Sequence, residues 1–211
     1  MNTDVIQGNK GEIEIAYDPP KSNTYPDITA VVCHPHPLFQ GSMHNKVVTT
    51  ISRALTGLGV GCMRFNYRGV GKSQGCYDNG VGEVDDALSV AMHILKQHLE
   101  QKIIFTGFSF GGSVAYKAAM KCQNTVGLLT VAPAVVNFPL EGIKEPTMPW
   151  CVIQGIDDEV VDAQAVFDFA IKTNVPVHII KLDQVGHFFH GKLVELKNEI
   201  QWYFQQRLQL W

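Results

Sequence analysis

The chain has 211 residues, 45% of them hydrophobic and 18% charged, with a formal net charge of −3, a balance too apolar for a disordered chain. At this length the chain can form one large domain or two small ones. The elements below use nearly every residue, so one domain over residues 1–211 is expected, burying roughly 70% of its unfolded surface without a disulfide or metal staple. A sequence pI near 6.2, with no Lys/Arg run, argues against a nucleic-acid or anionic-membrane partner.

Read in chain order, Val5-Ile6-Gln7 and the alternating Ile13-Glu14-Ile15 flank a Gly-Asn-Lys-Gly turn and predict a hairpin. The Pro-rich stretch Asp18–Asp27 reads as a surface connection. Continuous apolar runs follow at Thr29–Cys33, Val60–Phe65, Lys102–Thr106, Val126–Val131, Trp150–Ile153 and Val177–Leu182. Short runs rich in Val and Ile suit strands buried on both faces. Between them, Val47-Val48-Ile51-Leu55 and Val84-Leu88-Ala91-Leu95-Leu99 repeat with helical spacing, and Phe110–Lys121, Asp162–Lys172 and Leu193–Leu210 complete the helices. Asn137–Pro149, with three prolines, joins two of the apolar runs. An antiparallel start followed by strand–helix units implies a mostly parallel eight-stranded sheet with helices on both faces. Such sheets place ligands beyond the carboxyl ends of their strands.

Directly after the Lys102–Thr106 run comes Gly107-Phe108-Ser109-Phe110-Gly111-Gly112, and then a helix. This is G-x-S-x-G in the context it requires, strand to sharp turn to helix. Ser109 would stand clear of the sheet, the flanking glycines would let turn and helix approach closely, and the helix start would face developing negative charge. A serine hydroxyl is a poor nucleophile without a base and an orienting acid. On this architecture they are expected later in the chain, acid first, beyond strand ends. Trp150–Gly155 is followed by Ile156-Asp157-Asp158-Glu159-Val160-Val161, and Val177–Leu182 by Asp183-Gln184-Val185-Gly186-His187-Phe188-Phe189-His190.

With these residues in place the chain resembles the α/β-hydrolase superfamily. It is most similar to a compact bacterial group of serine hydrolases related to dienelactone hydrolases and carboxylesterases. The match is carried by His34-Pro-His-Pro-Leu-Phe-Gln-Gly41, Arg64-Phe-Asn-Tyr-Arg-Gly-Val-Gly-Lys-Ser73, Gly107–Gly112, Gly155–Val161 and Gly186–Gly191. Gln40 departs from it, standing where the related pattern usually has a second Gly. The resemblance implies an α/β-hydrolase fold without a large cap domain. Its G-x-x-D-x-x-V spacing selects Asp158 as the acid, with Asp157 next, and its G/D-H position selects His187 as the base. Asp162 suits a helix N-cap. The oxyanion donors would be the N–H of Phe110 and one from the loop after Cys33. Pro35 and Pro37 have no N–H, leaving His36 or Leu38.

Other patterns carry less. His34-x-His36 resembles a metal-binding start, but the later strand ends offer a serine elbow rather than further ligands, so no metal and no cofactor are expected. Gly69-Val-Gly-Lys-Ser73 lacks the first glycine of a phosphate loop. Glu83, Asp85 and Asp86 read as the solvated first turn of a helix, and His93 and His98 as surface or satisfied core residues. The expected activity is hydrolysis of a small carboxylic ester or thioester through an acyl-serine intermediate. The alternatives are a non-catalytic binding protein of the same fold and an acyltransferase or serine peptidase on the same residues. Phe138, Leu140, Met148 and Trp150 are expected to edge a shallow acyl pocket for short-chain groups. Five cysteines without a CxxC pair, an opening Met1–Glu12 without a signal-peptide pattern, and no apolar run long enough for a bilayer point to a cytoplasmic protein with reduced thiols, bound to neither membrane nor nucleic acid. Oligomeric state is open.

Overall fold

The computed structural model describes residues 3–97, 100–138, 140 and 142–208. The hairpin forms as β1 (Asp4–Gly8) and β2 (Gly11–Asp18), with Gly8 opposite Gly11 and Ile6 opposite Ile13. The remaining strands are β3 (Ile28–Cys33), β4 (Gly61–Phe65), β5 (Lys102–Phe108), β6 (Thr125–Val131), β7 (Trp150–Gly155) and β8 (Val177–Leu182). They assemble into one eight-stranded sheet in the order β1-β2-β4-β3-β5-β6-β7-β8. β2 joins β4 antiparallel, and every pairing from β4 to β8 is parallel.

The two-residue alternation of a strand sorts side chains to opposite faces. Ile103 and Phe105 of β5 pack with Val31 of β3 and Val152 of β7 on one face. Ile104, Val32 and Ile153 pack on the other. α2 (Gly82–Gln97), α3 (Phe110–Ala119) and α4 (Ala163–Lys172) cover the first face through Val84, Val90, Val114 and Val166. α1 (Lys46–Gly57) and α5 (Leu193–Arg207) cover the second through Val48, Ile51, Leu196 and Phe204. Both cores contain strand residues from the middle of the sheet, which explains why β3 to β7 read as unbroken apolar runs. β8 differs from that reading. It is the sheet edge, and its residues are mostly half-buried or exposed, because no further strand shields it.

The helix at Val84 keeps its apolar face through Leu95, while Leu99 and His98 lie outside the described residues, as does Leu210 at the far end of the last helix. His93 is half-buried, with its ring against Gln97. Among the described residues no helix is long and apolar enough to cross a membrane, and no helix is found between β6 and β7, where a cap would be inserted.

The acids at the start of α2 require a correction. They are not a solvated face: Glu83 and Asp86 are buried and only Asp85 is partly exposed. Glu83 accepts the N–H groups of Asp78 and Gly80, each at 2.8 Å. Asp86 accepts the Arg68 N–H at 2.9 Å and holds its guanidinium at 2.7 Å. The Arg68-Gly-Val-Gly stretch is thus a structural turn locked to α2. Burial is affordable because each carboxylate oxygen has a donor, the condition under which charge can leave water.

Candidate active site

β5 delivers Phe108 to the carboxyl end of the sheet, and the chain turns at Ser109 with φ 58° and ψ −123° before α3 begins. A non-glycine residue rarely holds this backbone conformation, so the surroundings must over-determine it. They do: Ser109 N–H donates to Val131 O at 2.9 Å, and Ser109 O accepts from Gly112 at 2.9 Å and from Ala134 at 3.2 Å. The flanking glycines are steric requirements. A Cβ on Gly107 would lie 2.1 Å from Gly111 O, and one on Gly111 would lie 2.4 Å from the carbonyl oxygens of both Cys33 and His34. Side chains there would push α3 off the neighbouring strand end.

The structure brings Ser109, His187 and Asp158 together from three strand ends. His187 Nε2 lies 3.0 Å from Ser109 Oγ, and His187 Nδ1 lies 2.9 Å from Asp158 Oδ2. Ser109 is 8% exposed and His187 3%, so the chain of bonds is dry but reachable through the serine. The remaining Asp158 acceptor capacity is filled. Oδ1 takes the N–H of Val160 at 2.9 Å and of Val161 at 2.7 Å, and Oδ2 also takes Gln154 Nε2 at 2.9 Å. Burial alone would raise the Asp158 carboxyl, but the bonds from His187 and these backbone groups outweigh it and hold the group below its ordinary value. Asp157 is exposed and Asp162 caps α4 through the N–H groups of Gln164 and Ala165. His190 is exposed beside Phe188.

Two side chains that the sequence did not single out for this role hold the acid and base loops. Gln154 braces Asp158 from the penultimate position of β7. Glu159 Oε2 accepts the His187 backbone N–H at 3.0 Å, and the bond from His187 lowers its pKa. Gly186 permits this approach, since a Cβ there would lie 2.6 Å from Glu159 Oε2. The two loops are further stitched by Asp157 N–H to Val185 O at 3.2 Å. An acid next to the selected Asp158 was the available signal for Glu159. Gln154 offered none, lying inside an apolar strand.

The loop after β3 runs as a single 3-10 turn, Pro37–Phe39, followed by Gln40 in the left-handed region at φ 61°. Glycine adopts that backbone most easily, which fits the Gly that the resemblance leads one to expect at this position. Leu38 N–H is spent on His36 Nδ1 at 3.2 Å. Among the described residues neither His36 N–H nor Phe110 N–H has a partner. The two oxyanion candidates in this loop therefore differ: Leu38 is committed and His36 is free. His34 is buried, with Nε2 accepting Tyr67 N–H at 3.1 Å and Nδ1 against Pro35 O. Burial pushes its pKa down to about 3, so it is a neutral, satisfied core residue.

The expected acyl-pocket residues divide. Phe138 packs on the site side, its ring 4.6 Å from Phe110 and 5.5 Å from His36. Leu140 and Trp150 are buried in the core, and the Trp150 indole donates to Thr130 Oγ1 at 3.1 Å. Met148 lines a cleft of about 530 Å³ with Pro149 and Val177. That cleft lies at the amino ends of β7 and β8, opposite Ser109, so three of the four do not edge the site. The reason is topological: the segment must return to the bottom of the sheet before β7 can run parallel to β6. Leu38, Phe39, Val136, Val160 and Phe188, in the segments that follow β3, β6, β7 and β8, are exposed apolar side chains.

A lid-less, mostly parallel sheet with a serine on a strained strand–helix turn defines the α/β-hydrolase class. A family model described as "Serine aminopeptidase, S33" matches residues 38–144. The chain is 35% identical over 205 residues to the protein RP471 of Rickettsia prowazekii, spanning 92% of this chain and 85% of that one. Among solved structures it is similar to an alpha-beta serine hydrolase homologue from Coxiella burnetii, with 40% identity, TM-score 0.89 and 95% of each chain covered. An a/b serine hydrolase without lid from Xanthomonas campestris gives 37% identity and TM-score 0.90, over 97% of this chain and 94% of that one. This chain belongs to the α/β-hydrolase superfamily. Its family is one of serine hydrolases.

Proposed function

We propose that the protein hydrolyses a small carboxylic ester or thioester with Ser109 as nucleophile, His187 as general base and acid, and Asp158 as orienting acid. The observation that carries this reading is the unbroken set of contacts Ser109 Oγ–His187 Nε2–His187 Nδ1–Asp158 Oδ2, at 3.0 and 2.9 Å. His187 takes the Ser109 proton as Oγ bonds to the acyl carbon, then gives it to the departing alcohol or thiol. Water attacks the acyl-serine as His187 takes its proton, and that proton returns to Ser109 Oγ when the acid leaves. Asp158 holds the proton on Nδ1 and stabilises the charged imidazole. The N–H groups of Phe110 and His36 face the developing oxyanion; Leu38 is set aside because its N–H is engaged.

The single lid-less domain works in the cytoplasm on this reading, and the exposed apolar side chains in the segments after the strand ends suit short acyl groups. A fluorophosphonate probe should label the wild type and not Ser109→Ala. No labelling at all would leave a non-catalytic binding protein. A panel of p-nitrophenyl esters of rising chain length should peak at short chains; a long-chain optimum overturns the short-acyl assignment. Aminoacyl p-nitroanilides belong in the same panel because of the aminopeptidase family description, and faster turnover of those would replace ester hydrolysis with peptide hydrolysis.

A further inference from the structure

We propose that Tyr77 is a positioning residue for the reaction: its hydroxyl fixes the His36 imidazole, which holds the loop presenting the second oxyanion donor. This rests on the serine-hydrolase reading above.

The loop His34–Gly41 has few hydrogen-bonding resources of its own. Pro35 and Pro37 supply no N–H, and Gln40 holds a left-handed backbone that costs free energy. Three of the bonds it makes converge on one residue. His36 O accepts the N–H groups of Phe39 and Gly41, each at 3.1 Å, and His36 Nδ1 accepts that of Leu38. The His36 N–H has no partner among the described residues.

The side-chain geometry then dictates the tautomer. A ring nitrogen that accepts an N–H carries no proton, so the neutral imidazole must carry its proton on Nε2. Nε2 faces Tyr77 Oη at 3.1 Å, which makes the phenol oxygen the acceptor. Tyr77 comes from the segment between β4 and α2, a different part of the chain. The imidazole is therefore pinned at both nitrogens, one to its own loop and one across to another. Its ring sits among Phe39, Phe110, Tyr77 and Phe138 at centroid distances of 4.9 to 5.5 Å. Because Phe110 carries the first donor and His36 the second, the contact between their rings ties the two donors to one packing unit.

The clamp also has a proton dependence. A proton on Nδ1 would confront the Leu38 N–H and release the loop. The groups facing His36 are the Tyr77 phenol, the rings of Phe39, Phe110 and Phe138, and His34 two residues back, which is uncharged. No carboxylate faces it among the described residues, and burial lowers the His36 pKa, so the working neutral form is favoured.

Tyr77→Phe removes the hydroxyl and keeps the ring contacts, so a packing role alone predicts no change. The clamp predicts a fall in kcat of about tenfold with KM within about twofold, since an oxyanion donor acts on the transition state. Affinity for a trifluoromethyl ketone, which forms a tetrahedral adduct with the serine, should fall by the same factor. His36→Asn places an amide oxygen where Nδ1 stands but cannot reach Tyr77; it should show a similar loss, and the double variant no more than either single one. Should Tyr77→Phe melt too low to assay, the His36→Asn loss carries the same test. Unchanged kcat in either folded variant, or losses that multiply in the double variant, would overturn the clamp. Ser109→Ala in the same assay separates the failures: residual turnover there sinks the serine reading itself, whereas a dead Ser109→Ala beside an intact Tyr77→Phe sinks only the clamp.

Discussion

Two acid-rich turns lie at the carboxyl end of the sheet, Asp157–Asp162 after β7 and Glu83–Asp86 at the start of α2. Both bury carboxylates and both satisfy them with backbone N–H groups: Val160 and Val161 on Asp158, Asp78 and Gly80 on Glu83. The difference lies in the side chain each acid meets. Asp86 meets the Arg68 guanidinium, which keeps its protons at any accessible pH and so can only hold structure. Asp158 meets an imidazole whose other nitrogen faces a serine, and an imidazole releases and takes protons near neutrality. Burial and carboxylate count do not distinguish a chemical turn from an architectural one; the partner does.

The sharpest test exchanges charge without volume. Asp158→Asn presents an amide to His187 Nδ1 and favours the wrong tautomer, and should lower kcat by about 10⁴-fold while the protein stays folded. A loss under about tenfold would mean that Asp158 is architectural as well. The wild type offers a companion measurement in pH. A protonated histidine cannot act as a base, so activity should fall in acid, and a flat rate from about pH 5 to about pH 8 contradicts a histidine base. Stability should behave differently. Because the folded Asp158 carboxyl lies below its ordinary value, its contribution is fully present above the unfolded value of about 3.9 and is lost only as pH falls through the lower folded one.

The opposite pattern is expected at α2. Asp86→Ala leaves the buried Arg68 guanidinium and N–H without their main partner, a change that typically costs about 3–5 kcal/mol. Asp78, 3.7 Å from Arg68 Nη1 and half-exposed, compensates little. Urea denaturation should show the loss, with kcat of the folded fraction within about threefold of wild type. A specific collapse of kcat at full stability would move this turn into the chemical class.

Glu159 lies between the two classes, since it touches the base only through the backbone N–H. Glu159→Ala should lower kcat about tenfold by loosening the His187 loop, and Glu159→Gln, which retains an acceptor oxygen, should recover most of it. Equal losses in both variants would assign the effect to charge rather than to position.

The contrast also explains what was legible in the sequence. Ser109 and its glycines were readable because the strand, the turn and the close approach of α3 all fall within a few consecutive residues. The alternation of Ile103, Ile104 and Phe105 likewise exposed both faces of the sheet. Tyr77 and Glu159 meet partners 41 and 28 residues away in the chain, contacts that exist only once the sheet brings strand ends together, whereas Gln154 meets Asp158 only 4 residues on but lies unmarked inside an apolar strand. Glu83 and Asp86 resembled a solvated helix start because nothing local announces Arg68 or the Asp78 turn folding over them. Leu140 and Trp150 carried the right chemistry for an acyl pocket, but the return path to β7 places them in the core. Short-range geometry was open to reading; partner identity across strand ends was not.

The smallest expected effect tests the assignment within a single turn. Asp162 lies four residues after Asp158 and is equally able to ionise, yet its Oδ1 accepts the N–H groups of Gln164 at 2.9 Å and Ala165 at 3.3 Å. Those are donors left unpaired at the start of α4, and satisfying them with an aspartate stabilises a helix end by about 1 kcal/mol. Asp162→Ala should therefore lower stability by about that amount in urea, and leave kcat and its pH profile unchanged. Asp158 and Asp162 would then differ by four orders of magnitude in kcat despite sharing a turn. A loss of activity at Asp162 comparable with that at Asp158 would show that the turn rearranges to let a second carboxylate reach His187, and the division between chemical and architectural acids would fail at its closest pair.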